Sequence, residues 1–150
     1  MENLMKDKKL RQFAFKLLHR ILVTKNELKR YKIKPDDECF LCKSPDSLEH
    51  TFLACSVTED FYYEMMTRFN NEQKSQISMS KQQIFFNDFT LPVESQDLLK
   101  RKFGIFLTLM KKYIYDSKMM EKFPLGNQFK QKLINQWKIE NSGNWMARSG

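Results

Sequence analysis

The sequence predicts a mostly α-helical protein, a small helical domain in which a cysteine-rich, knuckle-like turn lies between N-terminal helices and a C-terminal helical tail. Turn-forming residues are scarce, 4 Gly and 4 Pro against 13 Phe and 9 Met, too few to punctuate many short strands. Apolar residues recur at helical spacing over long stretches. All three cysteines fall within residues 39–55. With 150 residues, 41% of them hydrophobic and 13% aromatic, the chain is able to bury a core as one compact domain.

Residues 7–23 read as an amphipathic helix, because Leu10, Phe13, Ala14, Leu17 and Ile21 share one face. Beside that stripe Lys9, Lys16 and Arg20 fall within about 40° of each other and form a basic ridge. His19 projects opposite the stripe, toward solvent. Thr24 with Glu27 has the capping-box pattern, and the helix it starts aligns Lys25, Lys29 and Lys32, with Arg30 and Lys34 close by. Pro35 ends that helix.

Ser56 with Glu59 repeats the capping box and opens a helix through about Phe69, with Phe61, Met65 and Phe69 as core positions. Residues 70–80 are polar and read as a loop. A short helix from Lys81 to Phe86, capped by Ser80, precedes a turn at Leu91-Pro92. From about Ser95 to Met120, Leu99, Phe103, Phe106, Met110 and Tyr113 make a packing seam, with Lys111, Lys118 and Lys122 elsewhere on the circumference to offer cations. A final helix, Asn127 to Met146, carries Phe129, Leu133 and Trp137, and the chain stops without a capped end, as a truncated reading frame would. The expected division is 1–70 for the basic helices and cysteine-rich module, 71–93 for a linker with a short helix, and 94–150 for a tail packed on the first part.

Cys39, Cys42, His50 and Cys55 are spaced C-x2-C-x7-H-x4-C. Two thiols on a tight turn plus two donors from a short helix suit tetrahedral zinc, with Ser47 as the N-cap that places His50 one turn inside. Soft sulfur donors select zinc over magnesium or calcium. Three thiolates and one imidazole close the coordination shell and leave no position for water, so the one zinc ion expected here is structural. An odd number of cysteines also argues against a disulfide framework.

The formal net charge of +8 is unevenly placed. Residues 1–34 hold 11 cationic and 3 acidic side chains, 35–55 hold 1 and 5, 56–96 hold 3 and 6, and 97–150 hold 11 and 4. Two basic blocks flank an acidic middle, a distribution suited to a polyanion such as RNA or DNA, since each neutralised phosphate releases counterions. The expected phosphate contacts are Lys9, Lys16, Arg20, Lys25, Lys29, Arg30 and Lys32. Lysine predominates among them and acts as a point charge, which predicts weak sequence preference. Tyr31 and Phe40 are the aromatics near enough to stack on bases, although packing suits both better. The N-terminus lacks the pattern of a signal peptide, and no run of about 20 apolar residues spans a bilayer. The expectation is an intracellular protein, nuclear or cytoplasmic, with no membrane partner and no small-molecule substrate. No catalytic residues are expected, because neither an open metal position nor a nucleophile–base pair is evident.

The run from Phe13 to Leu28, then Cys39 and Cys42, Leu48 to Phe52, Ala54-Cys55 and the aromatic-rich helix that follows, resembles the zinc-binding region behind the polymerase domain of LINE-type (non-LTR) retrotransposon reverse transcriptases. Lys111 to Tyr115 and Trp137 to Glu140 are similar to the tail of that family. The resemblance covers most of the chain and is strongest over 10–70. It implies zinc on Cys39, Cys42, His50 and Cys55, a role in holding template RNA or target DNA during target-primed reverse transcription, and an upstream reverse transcriptase domain as a partner. It implies no polymerase activity for this chain, since no Tyr-x-Asp-Asp pair is present and Asp36-Asp37 runs into Glu38 and Cys39. A scaffold module that docks on a protein such as the polymerase domain is the competing expectation.

Overall fold

A computed structural model gives the fold. It describes residues 5–86, 88 and 97–149, with side chains through residue 141. In chain order the helices are α1 (Lys8–Leu18), α2 (Lys25–Arg30), a π-helical turn (His50–Ala54), α3 (Ser56–Gln73), α4 (Lys81–Phe86), α5 (Asp97–Met119) and α6 (Gly126–Ser149). Among the described residues there is no strand, and the single extended pairing is an isolated bridge between Glu38 and Pro45. The expected turn at Leu91-Pro92 and the helix start at Ser95 lie outside the described residues.

The middle of α5 is buried on every side from Phe103 to Lys111, as a helix apolar around its circumference must be. It packs against α1, α6 and the π-helical turn, while α3 packs against α6. Aromatic rings fill the space between them. Phe69 lies 4.7 Å from Phe106, Phe106 lies 5.8 Å from Phe129, and Phe61 lies 5.8 Å from Tyr113, all centroid to centroid. A second, smaller cluster of Phe13, Leu17, Leu22, Leu48, Phe52 and Phe85 joins α1 and α4 to the π-helical turn.

The ends of α1 are set by two different devices. At its start Asp7 accepts from the Lys9 amide, and the fully buried Glu140 carboxylate of α6 accepts from the Lys6 and Asp7 amides at 2.6 and 2.7 Å. At its end Arg20 takes a left-handed conformation (φ 57°), the Arg20 amide donates to the Leu17 carbonyl and the Ile21 amide to the Lys16 carbonyl. This is the Schellman closure. The helix therefore stops at Leu18, short of the expected 23. Ile21 leaves the apolar stripe and is 56% exposed, while Leu22 is buried instead. The same closure ends α2, with Lys32 at φ 61°, and α5, with Glu121 at φ 56°.

Other expectations shift for similar reasons. Thr24 precedes α2 without a side-chain cap, and Cys55, not Ser56, is the N-cap of α3, so neither expected capping box forms. Glu59 pairs instead with Lys81 at 3.2 Å. The reciprocal box appears at α4, where the Gln83 amide donates to Ser80 Oγ and the Ser80 amide to Gln83 Oε1. Helix α3 runs to Gln73, and the Asn70 side chain ties down the following loop through Ser75 and Ile77. Lys111 and Lys118 do not offer cations to solvent, since both are buried. Lys111 donates to the Ile84 and Phe85 carbonyls at the end of α4, and burial pushes its ammonium down to about 7.

Candidate metal centre

Residues 26–45 contain one buried side chain, that of Cys39, so this loop has almost no apolar core of its own. Its backbone is folded by turns. The Cys39 amide donates to the Ser44 carbonyl at 2.7 Å and the Lys43 amide to the Cys39 carbonyl at 2.9 Å, with Lys43 left-handed at φ 69°. That turn brings Cys39 and Cys42 to one side, and the Leu41 amide points at the Cys39 sulfur (3.4 Å). The Asp46 amide then donates to the Asp37 carbonyl and the Asn26 amide to the Asp46 carbonyl, which ties the loop to α2.

The second pair of donors depends on an irregular turn. The Ser47 hydroxyl accepts from the His50 amide at 3.1 Å, as its expected N-cap role requires. In a regular α-helix a residue five positions on is rotated by about 140°. Here the Cys55 amide reaches back to the His50 carbonyl (2.9 Å), an i to i+5 bond that widens the turn by one residue. Cys55 thereby returns to the side of His50 and serves as the N-cap of α3, where the helix N-terminus favours a thiolate.

All four donors meet. Cys39 Sγ lies 3.9 Å from Cys55 Sγ, Cys42 Sγ lies 3.1 Å from His50 Nε2, and all four ligand atoms lie within 4.8 Å of one another. Tetrahedral zinc with ordinary bond lengths sets its sulfur and nitrogen donors about 3.6–3.8 Å apart, so the cluster closes around one ion with small adjustments. Cys39, His50 and Cys55 are buried and Cys42 half-buried. The Cys39 and Cys55 sulfurs lie close enough for one thiol to donate its proton to the other. The hydrogen bond to Cys55, then burial, holds the Cys39 thiol far above its usual range, and that same hydrogen bond draws Cys55 down to about 3. A divalent cation in place of the proton satisfies both sulfurs. The donor set fits one structural zinc ion, enclosed by four protein ligands.

A buried ion pair between α5 and the loop escaped sequence reasoning. Lys118 of α5 and Asp46 of the loop are 1% and 2% exposed, with Nζ 3.4 Å from Oδ1, and Asp46 also accepts from the Thr51 hydroxyl at 2.8 Å. Helical spacing alone placed Lys118 off the α5 seam, and nothing in the sequence says that a loop covers it.

Six of the seven expected phosphate contacts are at the surface and one is not. Lys9, Lys16, Arg20, Lys29, Arg30 and Lys32 are exposed. Lys25 is buried and pairs with Glu121 at 3.2 Å, so the line of Lys25, Lys29 and Lys32 does not form. Arg20, beyond the end of α1, pairs with Glu49, and Lys29 lies 3.8 Å from Asp37. Arg30 lies over the Tyr31 ring. Phe40 is half-buried against Phe123.

No helix of the described residues is long and apolar enough to cross a membrane. No curated protein and no solved structure matches the chain. The sequence model of the family described as zinc-binding in reverse transcriptase matches residues 3–62, a span that contains α1, α2, the four donors and the first turns of α3. Within the residues that are similar to this reverse transcriptase zinc-binding family, Cys39, Cys42, His50 and Cys55 are the side chains that come together where they could hold the metal.

Proposed function

We propose that the chain is the C-terminal zinc-binding segment of a LINE-type reverse transcriptase, which holds template RNA or target DNA during target-primed reverse transcription and has no polymerase activity of its own. The observation that carries this reading is a groove of about 580 Å3 between α1, α5 and α6. Lys9, Lys112, Lys122 and Lys132 line it above a floor that includes Leu109 and Tyr113. Lys112 is paired with Asp116, but Lys9, Lys122 and Lys132 are in no ion pair among the described residues. Cations left unneutralised around an apolar floor suit phosphates with bases between them.

The test is the salt dependence of binding to single-stranded RNA and to duplex DNA. Replacing Lys9, Lys122 and Lys132 by Gln is expected to flatten the slope of log affinity against log salt by about 0.7–0.9 for each phosphate no longer neutralised. Replacing Lys16, Lys29 and Lys32, which are exposed outside the groove lining, tests those cations in the same way. An unchanged slope removes the surface concerned from the interface.

A second reading has its own support. Phe15, Leu18, Ile21 and Val23, on and just after α1, are 41–64% exposed. An apolar group of this kind suits docking on a protein, of which the polymerase domain is the natural candidate. Nucleic-acid binding that vanishes at moderate salt, together with saturable binding of the polymerase domain that disappears on replacing Phe15 and Leu18 by Ser, would favour the scaffold.

A further inference from the structure

Where α5 turns into α6, Met120, Phe123 and Leu125 are 61%, 57% and 53% exposed. Single exposed apolar side chains are ordinary, but this turn is fixed at both ends. Glu121 is left-handed at φ 56°, its amide donates to the Lys118 carbonyl, and the Lys122 amide donates to the Ser117 carbonyl at 2.8 Å. Glu121 also pairs with the buried Lys25 at 3.2 Å, and the Leu125 amide donates to the Tyr113 hydroxyl at 2.9 Å. Phe123 is held in water by a turn that is tied down before and after it.

The ring has an aromatic neighbour on one side. Phe40, on the turn between Cys39 and Cys42, lies 5.3 Å from Phe123, centroid to centroid, with the planes inclined at 58°. Lys43 Nζ lies 5.3 Å from the Phe40 centroid. Lys43 and Lys122 are exposed and in no ion pair among the described residues. Met120 and Lys122 line the groove between α1, α5 and α6, so Phe123 follows directly on the groove lining in the chain. The core of a protein–protein interface is depleted of lysine. A nucleic-acid strand instead takes a ring face for a base and cations for the phosphates beside it. The unneutralised lysines favour the strand.

We propose that Phe123, backed by Phe40, is a stacking platform for one unpaired nucleobase of single-stranded RNA or DNA, with Lys43 and Lys122 holding the flanking phosphates. A base inside a duplex does not offer its face in this way. The proposal rests on the reading of the groove as a nucleic-acid site and supplies what the groove lacks, an exposed ring. Tyr113 in the groove floor is buried, and its hydroxyl is committed to Leu125 and Gln128.

The probes are oligothymidylate, oligouridylate and an abasic strand with the same number of phosphates, titrated against the full zinc-loaded chain. Phe123→Leu keeps an apolar group against Phe40 and removes the aromatic face. It is expected to lose about tenfold in affinity for at least one base-bearing strand, with no matching loss on the abasic strand and no change in the salt slope. Phe123→Trp should retain the affinity, and its added fluorescence should be quenched by the base-bearing strand but not by the abasic one. Equal affinity of Phe123→Leu and the unaltered protein for both base-bearing strands overturns the platform, while a slope that still depends on Lys9, Lys122 and Lys132 leaves the groove reading standing. A loss of the same size on the abasic strand makes the ring a packing element and overturns the platform too. So does unchanged strand binding with loss of binding to the polymerase domain, which assigns the face to a protein. If the unaltered protein binds no strand, the groove reading and the platform fall together. Should Phe123→Leu fold poorly, Phe123→Trp decides alone, and a tryptophan left unquenched by the bound base-bearing strand overturns the proposal.

Discussion

Two regions of this molecule are held together by different physics. Between Asn26 and Pro45 one side chain is buried, and it is a metal ligand. Between Phe103 and Lys111 every residue is buried, in a lattice of aromatic rings from α3, α5 and α6. The first region lacks the apolar area to offset its own ordering entropy and relies on one ion to close it. The second gains its stability from burial and needs no ion. The two meet where α5 delivers Lys118 to Asp46 of the loop, and α6 delivers Glu140 to the start of α1. A metal thus substitutes for a core in one half of the fold and is anchored by a core in the other.

The largest expected effect comes from removing the ion. Structural zinc in small sites contributes about 10–16 kcal/mol at neutral pH, so chelation or Cys39→Ser should release amide protons of residues 26–55 to rapid hydrogen exchange. Those of α5 from Phe103 to Met110 should stay protected. Equal exchange in both would erase the contrast. Next, Phe106→Ala removes a ring at the centre of the aromatic core and should cost about 3–5 kcal/mol, read from the urea midpoint of the zinc-loaded protein.

Lys111 sharpens the comparison through pH. Its ammonium, pushed down to about 7 by burial, has an ordinary value of 10.5 in the unfolded chain. Between these values the unfolded state binds more protons, so stability should rise with pH from about 7 to about 10.5 and show no contribution from this group below 7. The slope should be smaller in Lys111→Met, measured by denaturant unfolding across that range. An equal slope in both proteins assigns the pH dependence elsewhere. The smallest effect is expected at Lys74, which ends α3 in the left-handed conformation at φ 54°. Lys74→Gly relieves the crowding of its Cβ and should stabilise by about 0.5–1 kcal/mol, without changing zinc affinity.

The helix ends explain much of what was hard to read. Left-handed closures are usually glycine, but here Arg20, Lys32, Lys74 and Glu121 occupy them, so the familiar stop signal is missing at four ends. That is why the first helix read as continuing through Ile21, and why the ridge of Lys9, Lys16 and Arg20 looked regular. The capping boxes at Thr24 and Ser56 failed for a related reason. Cys55 is committed to both the metal site and the start of α3, which displaces Ser56 by one position. By contrast the aromatic positions Phe61, Phe69, Phe103, Phe106 and Phe129 were legible as core, because burial of large apolar side chains at helical spacing leaves little choice of face.

By itself the sequence determined the helical class, the four metal donors and most of the core. Each of these rests on local spacing, of cysteines on a turn or of apolar residues along a helix, which a chain carries wherever it packs. Only the tertiary structure decided which charges are available. Lys25, Lys111 and Lys118 read as surface cations, yet long-range packing buried each of them against Glu121, the carbonyls ending α4, and Asp46. A lysine's solvation depends on residues far away in sequence that close over it, and no periodicity records them.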